Sequence, residues 1–234
     1  MQMFDTIVLL AEQTEHGAFG PLLREHNPSL SIISLTSADE LQRLGVALLS
    51  RSRLIGFATP VIVPASVLST LGYGAYNFHP GPPTYPGWAP AHFALYERAT
   101  EFGATVHAMA DSVDTGTILD THLFPIEDGM SVDDLERLTY SCLARQFLEW
   151  AHLLANQPNP LTPRQPASWS GRKSSRRRYR ALCDIPFDIS KEDLQRRMRV
   201  FGSNHFGMIP TITLHGFEFK AMATSSGSDD SQSA

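Results

Sequence analysis

The chain is poor in cysteine and short of charge. Two cysteines in 234 residues, Cys142 and Cys183, are too few for a disulfide framework, and no Cys/His spacing suggests a metal site. A net charge of −5 gives no global reason for nucleic acid or an anionic membrane to bind. Long apolar runs are missing too. The N-terminal "TIVLLA" falls far short of the about 20 residues that span a bilayer. Asp5 stands where a signal peptide would carry Lys or Arg. These absences point to a reduced, cytoplasmic setting with no membrane contact and no metal. What is present is globular: 42% hydrophobic residues, in a length that suits one large domain with a small appendage.

Short apolar runs alternate with helical patterns. "TIVLLA" (6–11), "LSIISLT" (30–36), "RLIGFAT" (53–59) and "GAYNFH" (74–79) read as strands. Helices are expected through "FGPLLREH" (19–26), after the capping box of Ser37 and Glu40, and over 64–72. The order predicts an α/β fold with a doubly wound, mostly parallel, Rossmann-like sheet. Residues 90–99 read as helix, while 103–109 and 117–126 read as two further strands. Ser131 and Asp134 open a long helix with apolar residues at 135, 138, 142, 143, 147, 150, 151 and 154. This places a catalytic domain at 1–155, a proline-rich linker at 156–166, a small C-terminal α+β subdomain at 167–223 and a disordered tail at 224–234.

The stretch "NFHPGPPTYPGW" (77–88) ends the fourth strand, and ligands of such sheets bind beyond strand carboxyl ends. Asn77 and His79 are two apart and share a strand face. The prolines that follow stiffen the next loop into a wall. "DSVDTG" (111–116) adds a carboxylate at a turn, Asp114, favoured over Asp111 by the Gly116 that follows. A carboxylate beside the imidazole is expected to keep His79 charged. An amide, an imidazolium and a carboxylate, with no Ser or Cys nucleophile among them, suit direct acyl transfer to an amine. Asn77 and His79 would stabilise the oxyanion, and Asp114 would orient His79 and manage the amine's proton.

"NFHPGPP…YPG" resembles the Asn-x-His-Pro signature of the folate-dependent formyltransferases. "ATVHAMADSVDTGTIL" is similar to their second signature, and "GFATPVIVPASVL" to the segment that grips the pterin ring. The resemblance covers roughly residues 5 to 155. It implies 10-formyltetrahydrofolate as donor and catalytic roles for Asn77, His79 and Asp114. It also implies a folate pocket of Ala58, Thr59, Pro60, Val61, Ile62, Val63, Asp111, Ser112 and Val113. The chain departs from the family at His-Pro-Gly-Pro-Pro, which leaves the acceptor open.

An enzyme transferring formyl to a small amine or hydroxylamine is therefore expected. Hydrolysis of the same donor to formate and non-catalytic folate binding stand as the alternatives. His107 reads as a core or supporting histidine and His92 as structural. Tyr85 and Trp88 either stack on a bound ring or cover the core. The basic run 172–180 is either a solvated face or a contact for a phosphate-bearing acceptor such as a nucleotide sugar or CoA. A tRNA role is disfavoured by the overall acidity, and the oligomeric state is left open.

Overall fold

A computed structural model describes residues 4–222; the expected tail at 224–234 lies outside the described residues. Six strands form one sheet: β1 (Thr6–Leu10), β2 (Ser31–Leu35), β3 (Ser52–Phe57), β4 (Ala75–His79), β5 (Glu101–Ala108) and β6 (Ile118–Pro125). Their order is β2-β1-β3-β4-β5-β6. The first four pair in parallel, while β5 and β6 return antiparallel. This is the α/β architecture expected from the sequence. β1 and β3 are buried along their whole length, as strands covered on both faces must be.

One face is covered by α1 (Gln13–His26) and the long α6 (Val132–Asn156). Their side chains interlock with the sheet: Phe19 stacks on Phe147 with ring centroids 3.9 Å apart and meets Phe57 at 4.7 Å. α1 begins six residues before the segment that the sequence suggests. Gly17, Gly20 and Pro21 weaken the local helix signal, but Phe19 and Leu23 are buried against the sheet, and tertiary packing decides. On α6 the capping box of Ser131 and Asp134 forms, and the expected apolar positions are buried except Leu138. The other face carries three short helices, α2 (Ala38–Gln42), α3 (Val46–Leu49) and α4 (Ala65–Leu68). Buried Arg53 secures the far end of α6, donating to the carbonyls of Leu154 at 2.6 Å and Gln157 at 2.5 Å.

The C-terminal part clasps α5 (Pro90–Tyr96). α7 (Arg176–Cys183) and α8 (Lys191–Phe201) bring Tyr179, Val200 and Phe201 into a cluster with Phe93. A hairpin follows, β7 (Thr211–Leu214) and β8 (Phe217–Lys220), whose turn residues His215 and Gly216 sit at φ 50° and 85°. Much of the basic run is thus helix α7. Its Arg178 pairs with Glu97 at 2.6 Å and its Tyr179 is fully buried.

His92 lies inside this cluster with both ring nitrogens unbonded, its ring 5.2 Å from those of Tyr179 and His205. Burial, and secondarily the neighbouring His205, push it down to about 3. Unfolded, it would titrate at an ordinary imidazole pKa, so the unfolded chain binds the proton more readily as pH falls. Stability should therefore be lost on acidification from about 6.5 toward 3, by up to ~1.4 kcal/mol per pH unit for this group. Denaturant titrations should show a shallower acid slope for His92→Phe than for the wild type. Equal slopes would show that His92 is not buried in its neutral form.

Candidate active site

β4 carries Asn77 and His79 on one side of the sheet, and Phe78 between them enters the opposite core. Room for the amide comes from the neighbouring strand. Gly56 pairs with Asn77, and a Cβ at Gly56 would lie 2.9 Å from Asn77 Oδ1. Across the other edge His107 pairs with Asn77, next to a register irregularity in β5. The loop after β5 then doubles back and delivers Asp114 in a left-handed conformation, φ 49°. Ala58, at the start of the expected folate segment, is also left-handed at φ 46°. Strain of this kind in non-glycine residues tends to collect at functional sites.

Asp114 is the hub. Its Oδ2 accepts the Gly87 backbone N–H at 2.7 Å and lies 3.4 Å from His79 Nδ1. Its Oδ1 lies 3.2 Å from His107 Nε2. That same nitrogen is 3.2 Å from Asn77 Nδ2, so it either donates to Asp114 or accepts from Asn77, according to where the proton sits. The Nδ1 of His107 sits 2.8 Å from the Ala108 carbonyl and must be the donor there. The proline-stiffened wall is anchored as well: Thr105 Oγ1 donates to the Gly81 carbonyl at 2.7 Å.

The charge state differs from the sequence expectation. Burial drives the His79 pKa below the ordinary imidazole value and outweighs the attraction of Asp114; His107 lowers it further. His79 is therefore neutral at rest, not charged: desolvation of a closed site exceeds the pull of one carboxylate. Burial pushes the Asp114 carboxyl up, but the hydrogen bond from His107, the two imidazoles and the Gly87 N–H outweigh it and hold it at about 2.

Asn77, His79 and Asp114 line one cavity of about 560 Å³. Ala58, Thr59, Pro60, Val61, Ile62, Val63, Asp111, Ser112 and Val113 line it too. The twelve residues expected at the catalytic and folate sites thus meet in one hollow, and buried Asp114 contrasts with exposed Asp111. Trp88, weighed as a stacking ring, and Lys173, of the basic run, line it as well; Glu136 and Phe206 are walls the sequence reading missed. These last two come from distant segments and carry no shared motif. Glu136 sits between His205, at 3.2 Å, and His92, at 3.7 Å, and burial pushes its carboxyl up. His107 takes the supporting role that was one of its two expected readings, whereas the role of Gly56 was missed. An isolated glycine inside a strand was the available signal for Gly56. Tyr85 packs against Phe102 in the core, whereas Trp88 both faces the cavity and packs on Phe206.

The segment after α6 completes the surroundings. Ser174 accepts from Trp88 N at 3.2 Å and donates to the Pro86 carbonyl at 2.9 Å. Ser170 N donates to the Pro83 carbonyl at 3.0 Å, and Trp169 Nε1 to the Gly116 carbonyl at 2.7 Å. This run, 157–174, is a strap across the loops that carry the site.

Residues 55–143 match the family model described as formyl transferase. Methionyl-tRNA formyltransferase from Listeria monocytogenes serotype 4a (strain HCC23) is 34% identical over 109 residues. That match takes in 44% of this chain and 34% of the relative, so the chain matches about a third of the relative's length. The solved structure of a sugar N-formyltransferase from Shewanella sp FDAARGOS_354 superposes with a TM-score of 0.74 at 17% identity, covering 93% of this chain and 96% of that one. The N-formyltransferase from Helicobacter canadensis, solved with folinic acid and dTDP-3-aminofucose, gives 0.64 at 14% identity, covering 92% and 85%. These two share the fold.

Gly87 sits at φ 97°, and a Cβ there would lie 2.4 Å from the Ser174 carbonyl. Gly87→Ala should cost ~1–3 kcal/mol in backbone strain alone and lower the melting temperature by several degrees. Limited proteolysis should cut the variant faster within 157–174. A variant as resistant as the wild type would show that the strap is held without this contact.

Proposed function

Starting from a chain whose residues 55–143 match the formyl transferase family model, we propose that this protein moves a formyl group from 10-formyltetrahydrofolate to an amine on a small, phosphate-bearing acceptor. The observation that carries the reading is the meeting of Asn77, His79 and ionised Asp114 in the cavity whose walls include 58–63 and 111–113.

Asp114 favours a proton on His79 Nδ1, which leaves Nε2 with its lone pair; the Tyr85 carbonyl, 3.4 Å from Nε2, would accept from that nitrogen only once the imidazolium forms. The acceptor amine attacks the formyl carbon, and the carbonyl π pair moves onto oxygen. Asn77 Nδ2 donates to that oxyanion. His79 Nε2 takes the amine's proton, and Asp114 steadies the imidazolium. Collapse of the tetrahedral intermediate breaks the bond to N10 of the folate, and His79 returns the proton there. Products are the formylated amine and tetrahydrofolate. His79 thus acts first as base and then as acid, a change from the charged imidazole expected at the outset.

On the acceptor side, Glu136 suits an ammonium or hydroxyl, and exposed Lys173 suits a phosphate. Lys173 belongs to the basic run, so the phosphate contact narrows from the whole run to one residue facing the cavity.

Mixing the protein with 10-formyltetrahydrofolate and a panel of amino-sugar nucleotides, followed by mass, should yield a formylated product. Formate alone, with every amine unchanged, would replace transfer by hydrolysis. Asn77→Ala should lower kcat by about 10²–10³-fold. Lys173→Ala should raise the acceptor KM and leave folate affinity alone; an unmoved KM would remove the phosphate contact. Because His79 must be neutral to accept the proton, kcat/KM should fall as pH drops, with the acid limb centred below the ordinary imidazole pKa of about 6.5. An acid limb above that value would contradict the buried, neutral base.

A further inference from the structure

Trp169 lies beyond the segment that matches the family model, on the strap that follows α6. Its indole stands edge-on to both histidines of the site. The ring centroid is 5.0 Å from that of His107 at an interplanar angle of 90°, and 6.0 Å from that of His79 at 75°. Its Nε1–H donates to the Gly116 carbonyl at 2.7 Å. Gly116 itself is pressed against β5, since a Cβ there would fall 1.9 Å from the Ala108 carbonyl. The indole therefore fixes the end of the very turn that presents Asp114. It is not among the residues that line the cavity.

The strap holds Trp169 from both sides. On one, Arg164 N donates to the Leu119 carbonyl at 2.8 Å, and the Arg164 guanidinium pairs with Asp120 at 2.9 Å while stacking over Trp150. On the other, Ser170 reaches the carbonyls of Pro83 and Thr84 at 3.0 and 3.1 Å. The two loops that supply Asp114 and the Gly87 N–H are thus bound to one rigid piece of chain. An aromatic edge against two imidazoles also keeps water off a face that the cavity walls do not cover.

We propose that Trp169 is a positioning residue for the catalytic cluster: it sets the depth of the 111–117 turn, so that Asp114 stays within reach of His79 and His107, and it seals their rear against water. The proposal rests on the reading of His79 and Asp114 as a working pair. The groups facing His79 are Asp114, His107, the Tyr85 carbonyl and the indole itself.

The test uses the full chain with ring-labelled histidine, compared as wild type, Trp169→Phe and Trp169→Ala. Proton titration is followed by NMR, with the His79 signal assigned from a His79→Gln sample. Trp169→Ala should move the His79 midpoint up toward the ordinary imidazole range, because water replaces the indole. Trp169→Phe keeps a ring but loses the bond to Gly116, and should show a smaller shift in the same direction. With an acceptor in hand, Trp169→Phe should lower kcat about tenfold, the worth of one hydrogen bond, with both KM values little changed. Trp169→Ala should lower kcat about 10²-fold, as a small misplacement of reacting groups does. Should the alanine variant fail to melt cooperatively, the phenylalanine variant decides alone. A His79 midpoint that stays put in a folded variant overturns the proposal. The titration needs no substrate. A shifted midpoint in a protein that transfers no formyl group would keep the positioning role and sink the proposed function instead.

Discussion

One ionised carboxylate, sunk almost completely beneath the surface at the end of the sheet, sets the terms for everything around it. A buried charge is tolerated only when it is hydrogen-bonded and paired. Asp114 meets that demand with a backbone N–H from one loop, an imidazole from β5 and an imidazole from β4. Each partner imposes a further condition. The N–H comes from Gly87, which must be left-handed and must lie against Ser174 without a side chain. The β5 imidazole needs its other nitrogen committed to Ala108. Asp114 itself must take a positive φ to aim its oxygens inward. The proline-rich wall, the glycines and the strap are therefore parts of one solution to a single solvation problem.

The same burial sets the chemistry. A more open site would leave His79 near its ordinary pKa and partly charged. Here desolvation prevails, so the imidazole rests neutral beside an anion that would welcome it as a cation. In the proposed reaction such a base is poised: the proton it would take creates the ion pair that Asp114 stabilises. The energetic reward appears only as charge develops, which is the condition for an interaction to accelerate a step and not merely bind a substrate.

Most of the frame could be read from the chain because it rests on local rules. Continuous apolar runs marked β1 and β3, the capping boxes at Ser37 and Ser131 marked α2 and α6, and the i, i+2 rule placed Asn77 with His79. What escaped had a different physical origin. The early start of α1 depends on Phe19 and Leu23 packing against a distant helix and strand, against the local preference of two glycines and a proline. Pairwise reasoning gave the wrong protonation for His79 because it saw the carboxylate and not the depth. Glu136 and Phe206 reach the cavity from α6 and from a turn that only folding brings near. Arg178 and Tyr179 looked like one cationic stretch, yet a capped helix turns the first toward Glu97 and the second into the core.

The strap has a consequence for how such proteins diverge. Its path from α6 to α7 is written largely in main-chain bonds, Arg164 to Leu119, Ser170 to Pro83 and Ser174 to Pro86. Bonds of that kind do not depend on which side chains the segment carries. Its letters can drift until alignment no longer finds them while its course over the strands persists. The match by spelling ends at residue 143, midway along α6, whereas the likeness in shape runs on through nearly the whole molecule.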